Sequence, residues 1–91
     1  MNLEQYRKEI DELDNQLADL LNKRMDIVKK IADYKKREGL SVGDSNRENE
    51  IITRVCSGEH EAILRNIFTC IFKASREHQE ILIEAEKGEA P

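Results

Sequence analysis

The sequence predicts an all-α fold with three helices per chain (one long, one short, one long), paired into an intertwined helical homodimer. Three observations support this fold class. Residues 1–38 contain neither proline nor glycine. Apolar residues recur in that stretch at steps of three and four, which is helical periodicity. Aromatic residues make up only 4% of the chain and charged residues 37%, a composition that favours long amphipathic helices over strands.

The first helix is predicted over about residues 3–38. Asn2 can cap its N-terminus, and Gln5 three residues later completes a capping box. Gly39 is a natural residue to end the helix. The apolar positions that define its stripe are Leu3, Tyr6, Ile10, Leu13, Leu17, Leu20, Leu21, Val28 and Ile31.

The length of this helix predicts a dimer. At 1.5 Å per residue the helix would be roughly 54 Å long. A compact domain of this size has a diameter of only about 30 Å. The rest of the chain cannot cover the apolar stripe along its full length. A second copy of the same helix is the simplest cover, so we expect a homodimer.

The second helix is short and follows a loop at residues 40–46. We predict it over about residues 46–56. Ser45 followed by Glu48 has the pattern of a second capping box, and Asp44 is an alternative cap. Ile51, Ile52 and Val55 are expected on its buried side.

The third helix is predicted over about residues 60–87, after a break at Ser57 and Gly58. The tail, residues 88–91, is expected to fray. No repeat or linker divides the sequence, so residues 1–91 are predicted to form a single domain. The expected inner face of the third helix consists of Ala62, Leu64, Ile67, Phe68, Ile71, Phe72 and Leu82.

Charge and cysteine content exclude several classes of protein. The net charge of -4 is unlike the basic surface of a nucleic-acid binder. No apolar run approaches the ~20 residues that cross a bilayer, and the N-terminus lacks a signal-peptide pattern. Cys56 and Cys70 have neither CxxC spacing nor a histidine pattern typical of a metal site. We therefore expect a cytoplasmic protein with reduced thiols that binds no metal, nucleic acid or membrane.

Arg24 is not explained by the amphipathic pattern. No acidic residue on its own helix can pair with it, and a buried guanidinium without a partner is very costly. We expect an anion to meet it, either a carboxylate from another helix or a ligand. The residues three and four positions away are all apolar: Leu20, Leu21, Ile27 and Val28.

Other polar residues share the predicted inner faces. Lys35 returns to within about 20° of the direction of Arg24 around the helix, and Arg7 lies between Leu3 and Ile10. Each of them taken alone is better explained as a satisfied core group, a cap or a snorkelling stem than as a functional residue. Together they form a cavity suited to a small dianion that also carries a hydroxyl. The set is Arg7, Arg24, Lys35, Glu48, Ser75 and Gln79.

These residues occur in an order that resembles the all-helical class of chorismate mutases over nearly the whole chain. Single fragments are weak signals, but the ordered set is specific. The resemblance implies an isomerase that converts the dicarboxylate chorismate to prephenate on the route to Phe and Tyr, without a cofactor. It also implies paired first helices and two equivalent sites per dimer. The matching segments are YRKEIDELD (6–14), LLNKRM (20–25), IADYK (31–35), DSNRE (44–48) and SREHQ (75–79).

The resemblance also implies catalytic roles for four residues. Arg24 would clamp a substrate carboxylate with its forked donors. Lys35 and Gln79 would face the ether oxygen, where negative charge develops. Glu48 would accept the hydrogen bond of the ring hydroxyl.

Four further residues are implied in substrate binding. Arg7 would reach into the site of the other protomer and bind a carboxylate there. The Asp44 region would assist at the ring hydroxyl. Arg47 and Ser75 would complete the ring of binding groups.

Three alternatives remain open from the sequence. The same scaffold could support an isochorismate-pyruvate lyase or an aminodeoxychorismate mutase. A non-enzymatic dimerisation module would explain the long helix, although not Arg24 among apolar residues. A regulatory domain of a larger enzyme is the third alternative, disfavoured by the intact set of site residues.

Overall fold

The computed structural model describes residues 2–88, and within that range the chain is entirely helix and loop. It has three α-helices: α1 at Leu3–Glu38, α2 at Ser45–Val55 and α3 at Glu61–Gly88. The all-α fold class with three helices is confirmed. Each helix bound lies within one residue of the predicted bound. Of the tail expected to fray, residues 89–91 lie outside the described range.

Helix α1 begins and ends at residues that satisfy its free backbone groups. The Asn2 side chain accepts a hydrogen bond from the Gln5 N–H at 3.0 Å, and Gln5 Oε1 accepts one from the Asn2 N–H at 2.8 Å. At the other end Gly39 takes the left-handed conformation with φ 67°. This lets the N–H of Leu40 donate to the Lys35 carbonyl at 2.8 Å.

Helix α2 is capped by Asp44, so the predicted Ser45–Glu48 capping box is wrong. Asp44 Oδ1 accepts a hydrogen bond from the Arg47 N–H at 3.0 Å, and Ser45 is already the first helical residue. The cap position thus lies one residue earlier than that box requires. Glu48 therefore has no capping function, and its carboxylate is available to contact another helix.

The packed part of the molecule is the C-terminal half of α1 against α3, with α2 resting on α3. Its buried apolar residues are Val28, Ala32, Cys56 and Phe72. Two polar residues of α3, Ser75 and Gln79, are buried among them. Ala62 and Ile67, expected on the inner face of the third helix, are exposed in the single chain. The core is therefore small and lies beside polar side chains.

The N-terminal half of α1 has no cover in the single chain. Every residue from Asn2 to Leu20 is exposed. The radius of gyration is 16.9 Å, against about 12 Å for a compact chain of this length. The large apolar side chains of this segment are between 51% and 62% exposed: Leu3, Tyr6, Ile10, Leu13, Leu17 and Leu20.

The exposed apolar residues of α1 follow a strict heptad order, here called the heptad stripe, and Arg24 occupies one position in it. Apolar residues spaced alternately by three and four are typical of a helix that packs against a second helix. Arg24 occupies one of these positions, so the stripe continues directly into the predicted site. The two series of positions are Leu3, Ile10, Leu17, Arg24, Ile31 and Tyr6, Leu13, Leu20, Ile27, Tyr34.

Each of the described helices is either too short or too polar to cross a lipid bilayer.

Replacing Gly39 by alanine should reduce the free energy of unfolding by about 1 kcal/mol, because a Cβ disfavours the left-handed conformation of this cap. No atom lies within 4 Å of the position of that Cβ, so the cost is conformational rather than steric. Urea denaturation followed by circular dichroism at fixed protein concentration measures it. Gly39→Asn is the control and should lose less, since asparagine tolerates this conformation. Equal losses in the two variants would contradict this explanation.

Candidate active site

A pocket of about 240 Å³ lies where the C-terminal halves of α1 and α3 meet the N-terminus of α2. It has room for one small organic molecule and is partly open to solvent. Apolar residues including Val28, Ile51 and Phe72 form part of its wall. Seven of the eight residues predicted for the site line it: Arg24, Lys35, Asp44, Arg47, Glu48, Ser75 and Gln79.

Arg24 is held by neutral contacts, and its charge is left uncompensated. Its Nη1 donates to Ser75 Oγ at 2.5 Å, and its guanidinium carbon lies 5.8 Å from the centroid of the Phe72 ring. Ser75 is fixed in turn, because its hydroxyl is 2.8 Å from the Ile71 carbonyl. Within residues 2–88, no carboxylate oxygen lies within 4.0 Å of the Arg24 guanidinium. In the described part of the single chain, therefore, no carboxylate from another helix neutralises Arg24, and its guanidinium lines the pocket.

Lys35 is the second cation of the pocket that has no counter-charge. It lies one turn beyond Ile31 on α1 and is half-buried at the pocket wall. No acidic side chain of the described residues forms an ion pair with it. Two uncompensated positive charges thus face one small cavity, which is an arrangement suited to a dianion.

Gln79 lines the pocket and has a buried amide oxygen without a hydrogen-bond partner within residues 2–88. Its side chain is 7% exposed, and its buried Oε1 has no hydrogen-bond partner among the residues described. A buried polar atom without a partner costs about 1–3 kcal/mol, so its presence is not explained by stability. The amide has both a donor and an acceptor end, and its Oε1 is enclosed by protein rather than open to the pocket.

Glu48 and Arg76 form an ion pair on one side of the pocket. Arg76 Nη1 donates to both carboxylate oxygens of Glu48, at 2.6 Å and 2.5 Å. Arg76 was not among the predicted site residues. In the sequence, Glu80 lies four residues after Arg76 on the same helix, where the two could form an ordinary surface ion pair. The sequence therefore provides no reason to expect a contact between Arg76 and α2.

Asp44 and Arg47 lie at the rim of the pocket. The Asp44 carboxylate caps α2, while Arg47 Nη1 pairs with Glu50 at 3.2 Å. Both side chains of the Arg47–Glu50 pair are more than half exposed. The chain therefore places these two predicted residues beside the opening rather than in the interior.

Arg7 does not enter the pocket of its own chain. It lies on the exposed half of α1, roughly 25 Å along the helix from Arg24. Within one chain it is thus the single predicted site residue that is remote from the others.

The comparisons with known proteins agree on one family. Residues 6–80 match the sequence model of the family described as chorismate mutase type II. A chorismate mutase from Methanocaldococcus jannaschii is 35% identical over 83 residues, which cover 88% of this chain and 82% of that protein.

Two solved structures have a similar fold. The crystal structure of chorismate mutase from Helicobacter pylori in complex with prephenate is 41% identical, with a TM-score of 0.80. The match covers 90% of this chain and 93% of that one. A conserved hypothetical protein from Pyrococcus furiosus is 38% identical with a TM-score of 0.73, over 85% of this chain and 93% of that one.

Replacing Gln79 by methionine should increase the free energy of unfolding by about 1 kcal/mol. Methionine is similar in length and flexibility, and it removes a buried oxygen that has no partner. Urea denaturation at fixed protein concentration tests this expectation. Glu77→Met, on the exposed side of the same helix, is the matched control and should change stability by less than about 0.5 kcal/mol. A clear loss of stability in Gln79→Met would show that the fold itself depends on the amide.

Proposed function

The chain belongs to the chorismate mutase type II family, and we propose that the pocket between α1, α2 and α3 is its active site. The activity is that of an isomerase that converts chorismate to prephenate in the biosynthesis of aromatic amino acids. The observation that carries the assignment of the site is the pair of cations, Arg24 and Lys35, that no described carboxylate neutralises. Chorismate has two carboxylates, and the similar Helicobacter pylori enzyme was solved with prephenate bound.

Arg24 is the proposed clamp for one carboxylate of the substrate. A guanidinium has five N–H donors in a fork that matches a planar carboxylate. Ser75 accepts from one nitrogen of Arg24, so most of the donors stay available. The Phe72 ring and Ser75 hold the guanidinium in place before the substrate arrives, which reduces the ordering that binding requires.

The reaction requires the protein to orient the substrate and to stabilise the charge that develops. The ether C–O bond breaks while a C–C bond forms between the enolpyruvyl methylene and the ring, so the electrons move in one cycle and no proton is transferred. The enolpyruvyl arm must be held over the ring in a chair-like geometry. Fixed carboxylate contacts and the shaped pocket wall supply that constraint.

Lys35 and Gln79 are the proposed groups at the ether oxygen. Negative charge develops there as the C–O bond breaks, and preorganised donors stabilise it. Lys35 contributes a charge, and Gln79 contributes an amide N–H whose donor ability does not depend on pH. The position of Gln79, buried at the wall of the pocket beside Lys35 and Arg24, supports this role.

The remaining site residues are proposed to bind the polar edge of the ring. Glu48 accepts the hydrogen bond of the ring hydroxyl, and the Asp44 region assists it. Arg47, which pairs with Glu50 at the rim, completes the ring of binding groups at the entrance. Ser75 acts through Arg24, because its hydroxyl is the contact that fixes the guanidinium.

We propose that a second copy of the chain completes the site. The exposed heptad stripe of α1 needs a cover, and Arg7 flanks that stripe far from the pocket of its own chain. In an antiparallel pair of α1 helices, the partner subunit's Arg7 would approach the pocket at the opposite end. The midpoint of the stripe lies between Leu17 and Leu20, so the two-fold axis is expected there.

We further propose that residues 1–91 are one chorismate mutase domain of a cytoplasmic protein. The three helices pack around a single small core, without a separate second unit in the described range. Cys56 and Cys70 are both free thiols. Unpaired thiols are compatible with a reducing compartment.

Alanine at Arg24 or at Lys35 should lower kcat/KM for chorismate by roughly 100- to 1000-fold, since each change removes a preorganised charge that the transition state needs. The loss of the ultraviolet absorbance of chorismate, with identification of the product, measures turnover. Circular dichroism should stay close to that of the wild-type protein. Lys29→Ala, on the exposed side of the same helix, is the control and should retain full activity. Near wild-type turnover in either pocket variant would remove the basis of the assignment.

Mixing Arg7→Ala and Lys35→Ala chains should restore activity that neither variant has alone. If each site takes Arg7 from one chain and Lys35 from the other, a heterodimer has one intact site. Activity should increase after the two variants are unfolded and refolded together, toward about a quarter of the wild-type level for random pairing. Sedimentation analysis should show dimers throughout. A mixture that stays as inactive as its components would argue that the site is not shared.

A further inference from the structure

We infer that Arg76 is a positioning residue, which fixes and neutralises the Glu48 carboxylate so that this group can accept the ring hydroxyl of the substrate. The inference rests on the proposed function, because it places chorismate in the pocket. It concerns a residue outside the predicted set, one that belongs to α3 and contacts α2.

The contact geometry leaves Glu48 able to accept another hydrogen bond. One nitrogen of Arg76, Nη1, serves both carboxylate oxygens at 2.6 Å and 2.5 Å. Each carboxylate oxygen has about two acceptor positions. Arg76 therefore holds the carboxylate by one position on each oxygen and leaves the others open to a ligand.

The stem of Arg76 is also held in place. Gly43, in the loop before α2, has φ 93°, and a Cβ there would lie 3.4 Å from Arg76 Cδ. The loop backbone thus passes close to the stem at a residue without a side chain. Helix α2 has no fully buried residue, so apolar burial alone fixes it only weakly beside the pocket. The ion pair from α3 adds a directional contact at the first turn of α2, where Glu48 lies.

The charge of Arg76 matters as much as its position. An unpaired Glu48 carboxylate in this pocket would attract Arg24 or Lys35 and compete with the carboxylates of the substrate. The pair is partly shielded from water, since the side chains of Arg76 and Glu48 are 37% and 26% exposed. By pairing with Glu48, Arg76 keeps the other two cations available for the dianion.

Steady-state kinetics of Arg76→Met, Glu48→Ala and the double variant with chorismate test the inference. The hydroxyl is not part of the bonds that change, so its contact is made equally in the ground and transition states. We expect each single change to raise KM about 10- to 30-fold with kcat altered less than about threefold. The double variant should have a KM within about threefold of Glu48→Ala alone, because Arg76 acts through Glu48.

Two further variants separate positioning from a general effect on the fold. Arg76→Lys keeps the charge and a donor nitrogen, so its KM should lie between those of the wild type and Arg76→Met. Arg65→Met is the matched control, because Arg65 is on the same helix and pairs with Glu61 at 3.1 Å outside the pocket. Its KM should be unchanged. If Arg76→Met does not fold, Arg76→Lys with and without Glu48→Ala gives the same comparison.

The outcomes distinguish this inference from the proposed function. An active wild type in which the two losses multiply, or in which Arg76→Met keeps the wild-type KM, would overturn the role of Arg76 alone. A folded wild type that leaves chorismate unchanged would overturn the proposed function and this inference with it.

Discussion

The position of the Arg24 guanidinium within an apolar stripe is the constraint on which the rest of the site depends. A leucine at this heptad position would simply extend the seam of α1. A guanidinium there cannot be left without contacts, because removing it from water is costly. The chain meets this cost with the Ser75 hydroxyl and the face of Phe72. Neither contact neutralises the charge, and the pocket beside Arg24 has room for a small anion.

The apolar core is small because polar side chains around the pocket occupy buried positions. Where a stable single-chain bundle would place apolar residues, α3 places Ser75 and Gln79, and both are buried. Only Val28, Ala32, Cys56 and Phe72 are buried apolar residues in the described part of the chain. A chain of this size needs more apolar burial to be stable. The exposed stripe on α1 offers that burial to a second copy, so the proposed dimer would supply both stability and the missing Arg7.

The sequence was sufficient for the local features and insufficient for contacts between helices. Helix bounds, the Asn2 cap and the left-handed Gly39 follow from residues close in the chain, and they could be predicted. The ion pair of Arg76 could not be predicted in this way. The sequence offers the nearby Glu80 as a partner, whereas the actual partner, Glu48, is on α2. The cap of α2 could not be assigned from the sequence either, since Asp44 and Ser45 are both good capping residues. The roles of the site residues came from the family resemblance, and the structure adds which of them lie together.

In the pocket, the most deeply buried polar side chains are neutral and the charged ones are closer to solvent. Gln79 and Ser75 are the most buried polar residues, and both are neutral. Arg24 and Lys35 are half-buried, and Arg47 at the rim is exposed. A full charge at the depth of Gln79 would lose its hydration permanently, in the empty site as well as in the complex. A neutral amide there, in the role proposed for Gln79, would donate to the ether oxygen at a much smaller cost. The half-buried cations keep part of their hydration in the empty pocket. In the proposed complex, the full cost of removing them from water would arise only when a carboxylate is present to compensate it.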